Sequence, residues 1–184
     1  DITFEHITGG FGGSNGPRTA AKADPNGYTL LMGTIGNIAL LPNILSDYGI
    51  DPIKCFTPVT KIAVTPHILV VRPGLNATSL EDILKFSAKN SETLKFHGIN
   101  ERSIHMLEFK SLIAETGIKL RSVKPEGGSE GAIEAIKAGE IDLTITTGPR
   151  LLEGLRLGEF IAIAAISDQR AAFYPEIPTM AELG

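Results

Sequence analysis

The chain has 184 residues, a net charge of −4 at pH 7, and 42% apolar against 21% charged residues. That length holds one domain or two small lobes, and the apolar share suffices for a packed core, which excludes a disordered chain. An acidic balance with no Trp and 3 Tyr speaks against a nucleic-acid partner, and the single Cys55 excludes an internal disulfide framework or a thiolate zinc site.

In chain order, Ile2 to Ile7 reads as a short strand, followed by a glycine-rich loop from Gly9 to Gly16. Pro17 suits the first position of a helix that Asp24-Pro25-Asn26-Gly27 stops. Tyr28 to Met32 reads as a buried strand leading into the polar loop Gly33 to Asn37, and Ile38 to Leu45 as a short helix. Strands are expected at Phe56 to Ala63 and His67 to Arg72. Helices are expected at Leu80 to Lys89, after Thr78-Ser79, and at Ser103 to Glu115, with Ile104, Leu107, Phe109 and Leu112 on its apolar side. Between them Lys95 to His97 is a strand. Ile118 to Val123, Ile141 to Ile145 and Phe160 to Ile166 are further strands, alternating with helices at Glu130 to Ala138 and Leu151 to Leu157. Phe160 to Ile166 is the longest apolar run, far below the ~20 residues of a membrane span. The alternation predicts an α/β class with mainly parallel pairing.

Four polar loops at strand ends carry the candidate chemistry. They are Gly33 to Asn37, Gly98 to Ser103, Gly127 to Ser129 and Thr146 to Gly148. Backbone N–H groups at helix starts bind carboxylates and phosphates, and the hydroxyls of Thr34, Ser103, Ser129 and Thr147 add donors. These loops are expected to face one cleft through Thr34, Gly36, Asn37, Gly98, Asn100, Ser103, Gly128, Ser129 and Thr147. Each of these residues could equally serve only to cap a helix. Gly10-x-Gly12 after a strand admits a dinucleotide reading, but the third glycine slot falls on Asn15, and no acidic residue follows the next strand to hold a ribose hydroxyl. Glycines needed only for backbone shape explain that loop as well. His105 and Glu108 share an i, i+3 spacing seen in some carboxylate metal sites, without a second such pair. No nucleophile elbow, phosphate-binding lysine loop or zinc-protease motif occurs. The sequence therefore assigns no catalytic residue, metal or cofactor.

Several segments together resemble a family. Ala23-Asp24-Pro25-Asn26-Gly27-Tyr28-Thr29-Leu30-Leu31-Met32-Gly33-Thr34 resembles the A-P-D-G-Y-T-L-L-x-G-T signature of tripartite tricarboxylate transporter solute receptors, the Bug-type periplasmic binding proteins. Gly10 to Gly16 is similar to their G-A-G-G-x-x-G, Phe56 to Thr60 to F-x-P-V-x, and Pro175 to Glu182 to P-x-V-P-T-x-x-E.

The resemblance implies a periplasmic-binding-protein-like fold with two lobes and a central cleft. Residues 1–72 and 167–184 would form lobe one and residues 73–166 lobe two. It implies a receptor that captures a small di- or tricarboxylate for a membrane permease, located in the periplasm and not an enzyme. A nucleotide-dependent enzyme using Gly10 to Gly16, or a receptor-derived domain that no longer binds, are the alternatives. The family's opening strand, its Pro-Gly-Gly loop and its last helices are expected outside residues 1–184, as is a signal peptide. A homo-oligomer could then cover an incomplete lobe. Where many members carry an acid able to meet an amino group, this chain has Thr146. Arg102 and Arg150 add positive charge at loop edges, with Glu101 beside the former. The implied ligand thus carries two or more carboxylates and no amino group.

Overall fold

The computed structural model describes residues 1–89, 93–98, 101–124, 126 and 128–184, with 128–130 and 148–150 by backbone alone. Two compact units emerge: Asp1–Ile62 with Arg102–Ile104, and Ala63–Glu101 with His105–Gly184.

The first unit holds short helices only. α1 (Asn15–Ala20) follows a 3-10 turn at Phe11–Gly13, and a π-helical turn at Ile35–Leu40 runs into α2 (Leu41–Ile44). α3 (Pro52–Cys55) is capped by Asp51, whose side chain accepts from the Ile53 N–H. A small core of Leu41, Leu45 and Tyr48 is pinned by Arg18, which donates to the carbonyls of Asp47 and Tyr48 at 2.6 and 2.7 Å. The three strands expected before Ala63 do not form. Their apolar residues stand open instead, Tyr28 92%, Phe4 82% and Val59 79% exposed. A strand is stable only against a neighbour that completes its ladder, and the described residues of this unit supply none.

The second unit is a five-stranded sheet in the order β3-β2-β4-β1-β5. Its strands are β1 (His67–Val71), β2 (Leu94–His97), β3 (Leu120–Ser122), β4 (Leu143–Thr146) and β5 (Ile161–Ile166). Its helices are α4 (Leu80–Lys89), α5 (Ile104–Thr116), α6 (Gly128–Lys137) and α7 (Gly148–Leu157). The α/β class holds, but the pairing is mixed. β2 is parallel to β3 and β4, whereas β1 is antiparallel to β4 and β5.

Alternation along β1 builds two cores. Leu69 and Val71 face a cluster with Ile83, Met106, Phe109 and Leu112, while Ile68 and Val70 face one with Ala132, Ile136, Leu151 and Phe160. α4 and α5 therefore cover one face and α6 and α7 the other. α5 buries Met106, Phe109 and Leu112; Leu107, expected on that face, is 48% exposed. A stripe at i, i+3, i+6 starting on Met106 meets the sheet, and Leu107 lies one residue off it.

α4 starts where its sequence predicts. Asp82 accepts from the Thr78 and Ser79 N–H groups, and Ser79 Oγ accepts from the Asp82 N–H in return. The Thr78 N–H bond first, with the other donors at this cap, holds the Asp82 carboxyl below its ordinary range.

The lobe boundaries expected at Arg72 and Ile166 differ from the observed units. His67–Val71 is an inner strand of the sheet, and Thr179 bridges Ala165 of β5, so residues 67–72 and 167–184 pack in the second unit. Arg72 is held there by Asp142, which accepts from its Nε at 2.7 Å and from the Lys95 N–H at 2.8 Å.

Gly154 of α7 lies against the ring of buried Phe160, and an added Cβ would come within 2.0 Å of the Phe160 Cζ. Gly154→Ala is expected to cost about 1–3 kcal/mol by overpacking, outweighing the better helix propensity of alanine. Denaturant unfolding checks this; a neutral or stabilising result would show that the ring can move aside.

Candidate ligand-binding site

β2, β3 and β4 run parallel, so their carboxyl ends reach one edge of the sheet. Phe96 sits beside both Ser122 and Leu143, and His97 beside Thr144. β1 runs the other way, so its first residue, His67, reaches this edge beside Ile166, with Ile68 beside Thr146. α5, α6 and α7 all begin just past it. Helix starts present N–H groups without intrahelical partners, and α/β sheets collect ligands at this edge.

A pocket of about 350 Å³ opens there, lined by His97, Gly98, Glu101, Met106, Ser122, Val123 and Lys124. Gly98 is required by close approach: a Cβ would meet Met106 Cε at 2.9 Å and the Phe96 ring at 3.2 Å. Glu101 and Lys124, both exposed, set opposite charges among the lining side chains. His97 is 2% exposed, and Thr144 Oγ1 donates to its carbonyl at 3.0 Å. A second pocket, about 310 Å³, lies toward the other edge by Thr78, Ala162 and Pro178. That edge holds the amino ends of β2, β3 and β4, away from the starts of α5, α6 and α7.

Beside the first pocket, His67 Nδ1 lies 2.5 Å from Glu108 Oε1, and the His105 ring stacks on His67 at 4.5 Å. Burial, then the nearby His67 and His97, push His105 down to about 4, so its imidazole is neutral at pH 7. Glu108 is thus engaged by His67, and the His105–Glu108 spacing serves to anchor α5 on β1.

Within the second unit, Gly98, Gly128, Ser129, Thr146 and Thr147 lie at this edge, while Ser103 is grouped with the first unit. Gly98 lies in the pocket, Ser103 is half-buried just ahead of α5, and Gly128 and Ser129 open α6. Thr146 ends β4 half-buried, and Thr147 caps α7 by its extended backbone without a side-chain cap bond. Arg150 falls in the first turn of α7, and Asn100 lies outside the described residues.

The Thr34, Gly36 and Asn37 loop belongs to the first unit. There Thr34 Oγ1 accepts from the Asn37 N–H at 3.3 Å, and Asn37 Oδ1 accepts from the Thr34 N–H at 2.8 Å. Each side chain is occupied in capping the turn at Ile35–Leu40. Arg102, grouped with the same unit, holds its guanidinium 5.3 Å from the Phe11 ring centroid.

His97 and Lys124 were not among the residues expected from the sequence. A histidine directly before glycine at a strand's carboxyl end is the signal that could have marked His97.

The dinucleotide reading of Gly10 to Gly16 is not favoured. No strand precedes the loop, and α1 is six residues long. Gly12 has φ +58, and a Cβ there would strike Leu41 Cδ1 at 2.8 Å, so this glycine serves backbone shape and packing.

Residues 7–184 match the family described as "Tripartite tricarboxylate transporter family receptor". The chain is 29% identical to Protein BugT of Bordetella pertussis over 182 residues, covering 95% of this chain and 54% of that protein. It spans about half the length of the curated relatives it matches. A solved structure described as a periplasmic transporter aligns with TM-score 0.80 and 30% identity, over 96% of this chain and 59% of that one. R. palustris Rpa4515, solved with adipate, aligns with TM-score 0.77 and 30% identity, over 94% of this chain and 57% of that one. This chain belongs to the tripartite tricarboxylate transporter receptor family.

Proposed function

We propose that the chain is part of a periplasmic receptor that captures a small dicarboxylate and hands it to a membrane permease, without chemistry of its own. The observation that carries this is the likeness to a 30% identical protein solved with adipate, over 94% of this chain. The sheet edge supports it independently, because the starts of α5, α6 and α7 converge there with Lys124 as a cation. No helix among the described residues is long and apolar enough to cross a membrane.

In this reading Gly98, Gly128-Ser129 and Thr146-Thr147, at the carboxyl edge of the sheet, face the ligand. The two-lobed clamp belongs to the same proposal. So does a second copy covering the open apolar residues of the first unit. Thr146 at the end of β4 offers a neutral hydroxyl, which favours a ligand without an ammonium group.

Calorimetric titration of the full-length protein with adipate tests the reading. Saturable binding that weakens about tenfold in Lys124→Ala is expected. Absence of heat and of any thermal shift with dicarboxylates at millimolar concentration would overturn it.

A further inference from the structure

The first turn of α5 is fastened to the sheet by a cluster rich in imidazole and poor in negative charge. His105 is half-buried and stacks on His67 of β1, with ring centroids 4.5 Å apart. Glu108, one turn further along α5, sets Oε1 2.5 Å from His67 Nδ1 and buries Oε2 without a hydrogen-bond partner. On β2, His97 donates from Nδ1 to the Val123 carbonyl at 3.1 Å and buries Nε2 unpaired. His67 and His97 are the titratable groups that act on His105 from the two strands, and neither brings a negative charge. Three imidazoles thus gather around one carboxylate, and the oxygen of it that has a partner is turned to His67. A proton added to His105 meets a stacked ring and no acid of its own.

Past this cluster the helix is held differently. Phe109 and Leu112 are buried in the apolar core and feel no charge. Between His105 and Glu108 lies Met106, 7% exposed, which lines the pocket at the sheet's carboxyl edge and packs close to Gly98. A charge on His105 therefore strains the first turn and not the body of α5, and the residue that this turn carries is part of the pocket wall. We propose that His67, His105 and Glu108 form an acid-sensitive latch: with His105 neutral the first turn of α5 is held on the sheet, and a proton on His105 lets that turn lift and withdraw Met106 from the pocket wall. The latch does not depend on what the pocket binds. Its sign follows from linkage. His105 is held down to about 4 in the closed turn, chiefly by burial and then by His67 and His97, against an ordinary 6.5. Between those values the lifted turn takes the proton first, so acid favours lifting.

Amide hydrogen exchange of the full-length protein at pH 7.5 and pH 5, read by NMR as protection relative to the intrinsic rate at each pH, tests this. The amides of Glu108 to Lys110 close the first turns of α5 and report the latch. Those of Ile113 to Thr116 in the same helix, and Ile83 to Phe86 in α4, report the body of the unit. In wild type, protection at Glu108 to Lys110 is expected to fall about tenfold or more between the two pH values, while the body keeps its protection. The Met106 methyl resonance should move toward its solvent-exposed position over the same range. In His105→Phe, which keeps a ring to stack on His67, both changes should disappear. His105→Leu serves as the second non-titrating variant, and circular dichroism at pH 7.5 establishes that each is folded.

Unchanged protection at Glu108 to Lys110 in wild type would overturn the inference. So would an equal loss across α4 and all of α5, which would mean that acid loosens the whole unit and not one turn. A fall that persists in both His105 variants would assign the effect to other groups and overturn it as well. If the turn lifts while the Met106 methyl holds its position, the connection to the pocket wall fails. None of these outcomes bears on the dicarboxylate reading, because no ligand is present in the measurement.

Discussion

Phe109→Ala is expected to lower the unfolding free energy of the sheet unit by about 3–5 kcal/mol. Phe109 is fully buried in α5, its ring 4.3 Å from that of Phe96 on β2, within the cluster that includes Leu69, Ile83 and Leu143. Truncation loses the transfer energy of the ring and leaves a cavity that a sheet on one side and α4 on the other resist closing. Domains have only about 5–15 kcal/mol to lose, so the variant should sit close to its unfolding threshold. Guanidinium denaturation followed by circular dichroism measures the change. A loss below about 1 kcal/mol would show that α5 contributes little to this core. The consequence reaches the site, because the same helix carries Met106 at the pocket wall and His105 and Glu108 against His67.

Between pH 6.5 and 4, the wild type is expected to lose up to about 3 kcal/mol more stability than His105→Phe. His105 is held down to about 4 in the folded chain, chiefly by burial and then by His67 and His97, against an ordinary 6.5. Its folded value lies below the unfolded one, so the contribution to stability is complete above about 6.5. As pH falls, the unfolded chain takes the proton first and is favoured, until near pH 4 the folded state binds it too. Phenylalanine preserves a ring to stack on His67 and removes the titration. The comparison is therefore between slopes of stability against pH, since carboxylates such as Asp82 contribute to both proteins. Identical slopes would mean that His105 is hydrated enough to titrate normally in the folded state.

The order of elements in the second unit could be read from the sequence, although Leu107, expected on the apolar side of α5, is exposed. The apolar runs at His67 to Arg72 and Phe160 to Ile166 and the capping residues Thr78-Ser79 before Leu80 mark elements by local rules. The same rules failed before Ala63. Tyr28 to Met32 has the composition of a buried strand and stands exposed, because composition states what a segment can pair with and not whether a partner is there. The candidate site was named from polar loops after parallel strands, such as Gly98 and Thr147. Nothing in the sequence showed that Thr34 and Asn37 would cap one turn through each other's side chains, or which ring nitrogen of His97 would meet Val123.

The sequence by itself determined the alternation of strands and helices from His67 to Ile166 and the family resemblance, since propensity, capping and motif are properties of neighbours along the chain. Only the tertiary structure decided that β1 runs against β4, bringing His67 to the edge where β2, β3 and β4 end. Only it placed Glu108 on His67 and Asp142 on Arg72, and gave Val123 to one nitrogen of His97 while burying the other. Strand direction and side-chain partnership are settled by hydrogen bonds between residues far apart in sequence, and those bonds exist only once the sheet has closed.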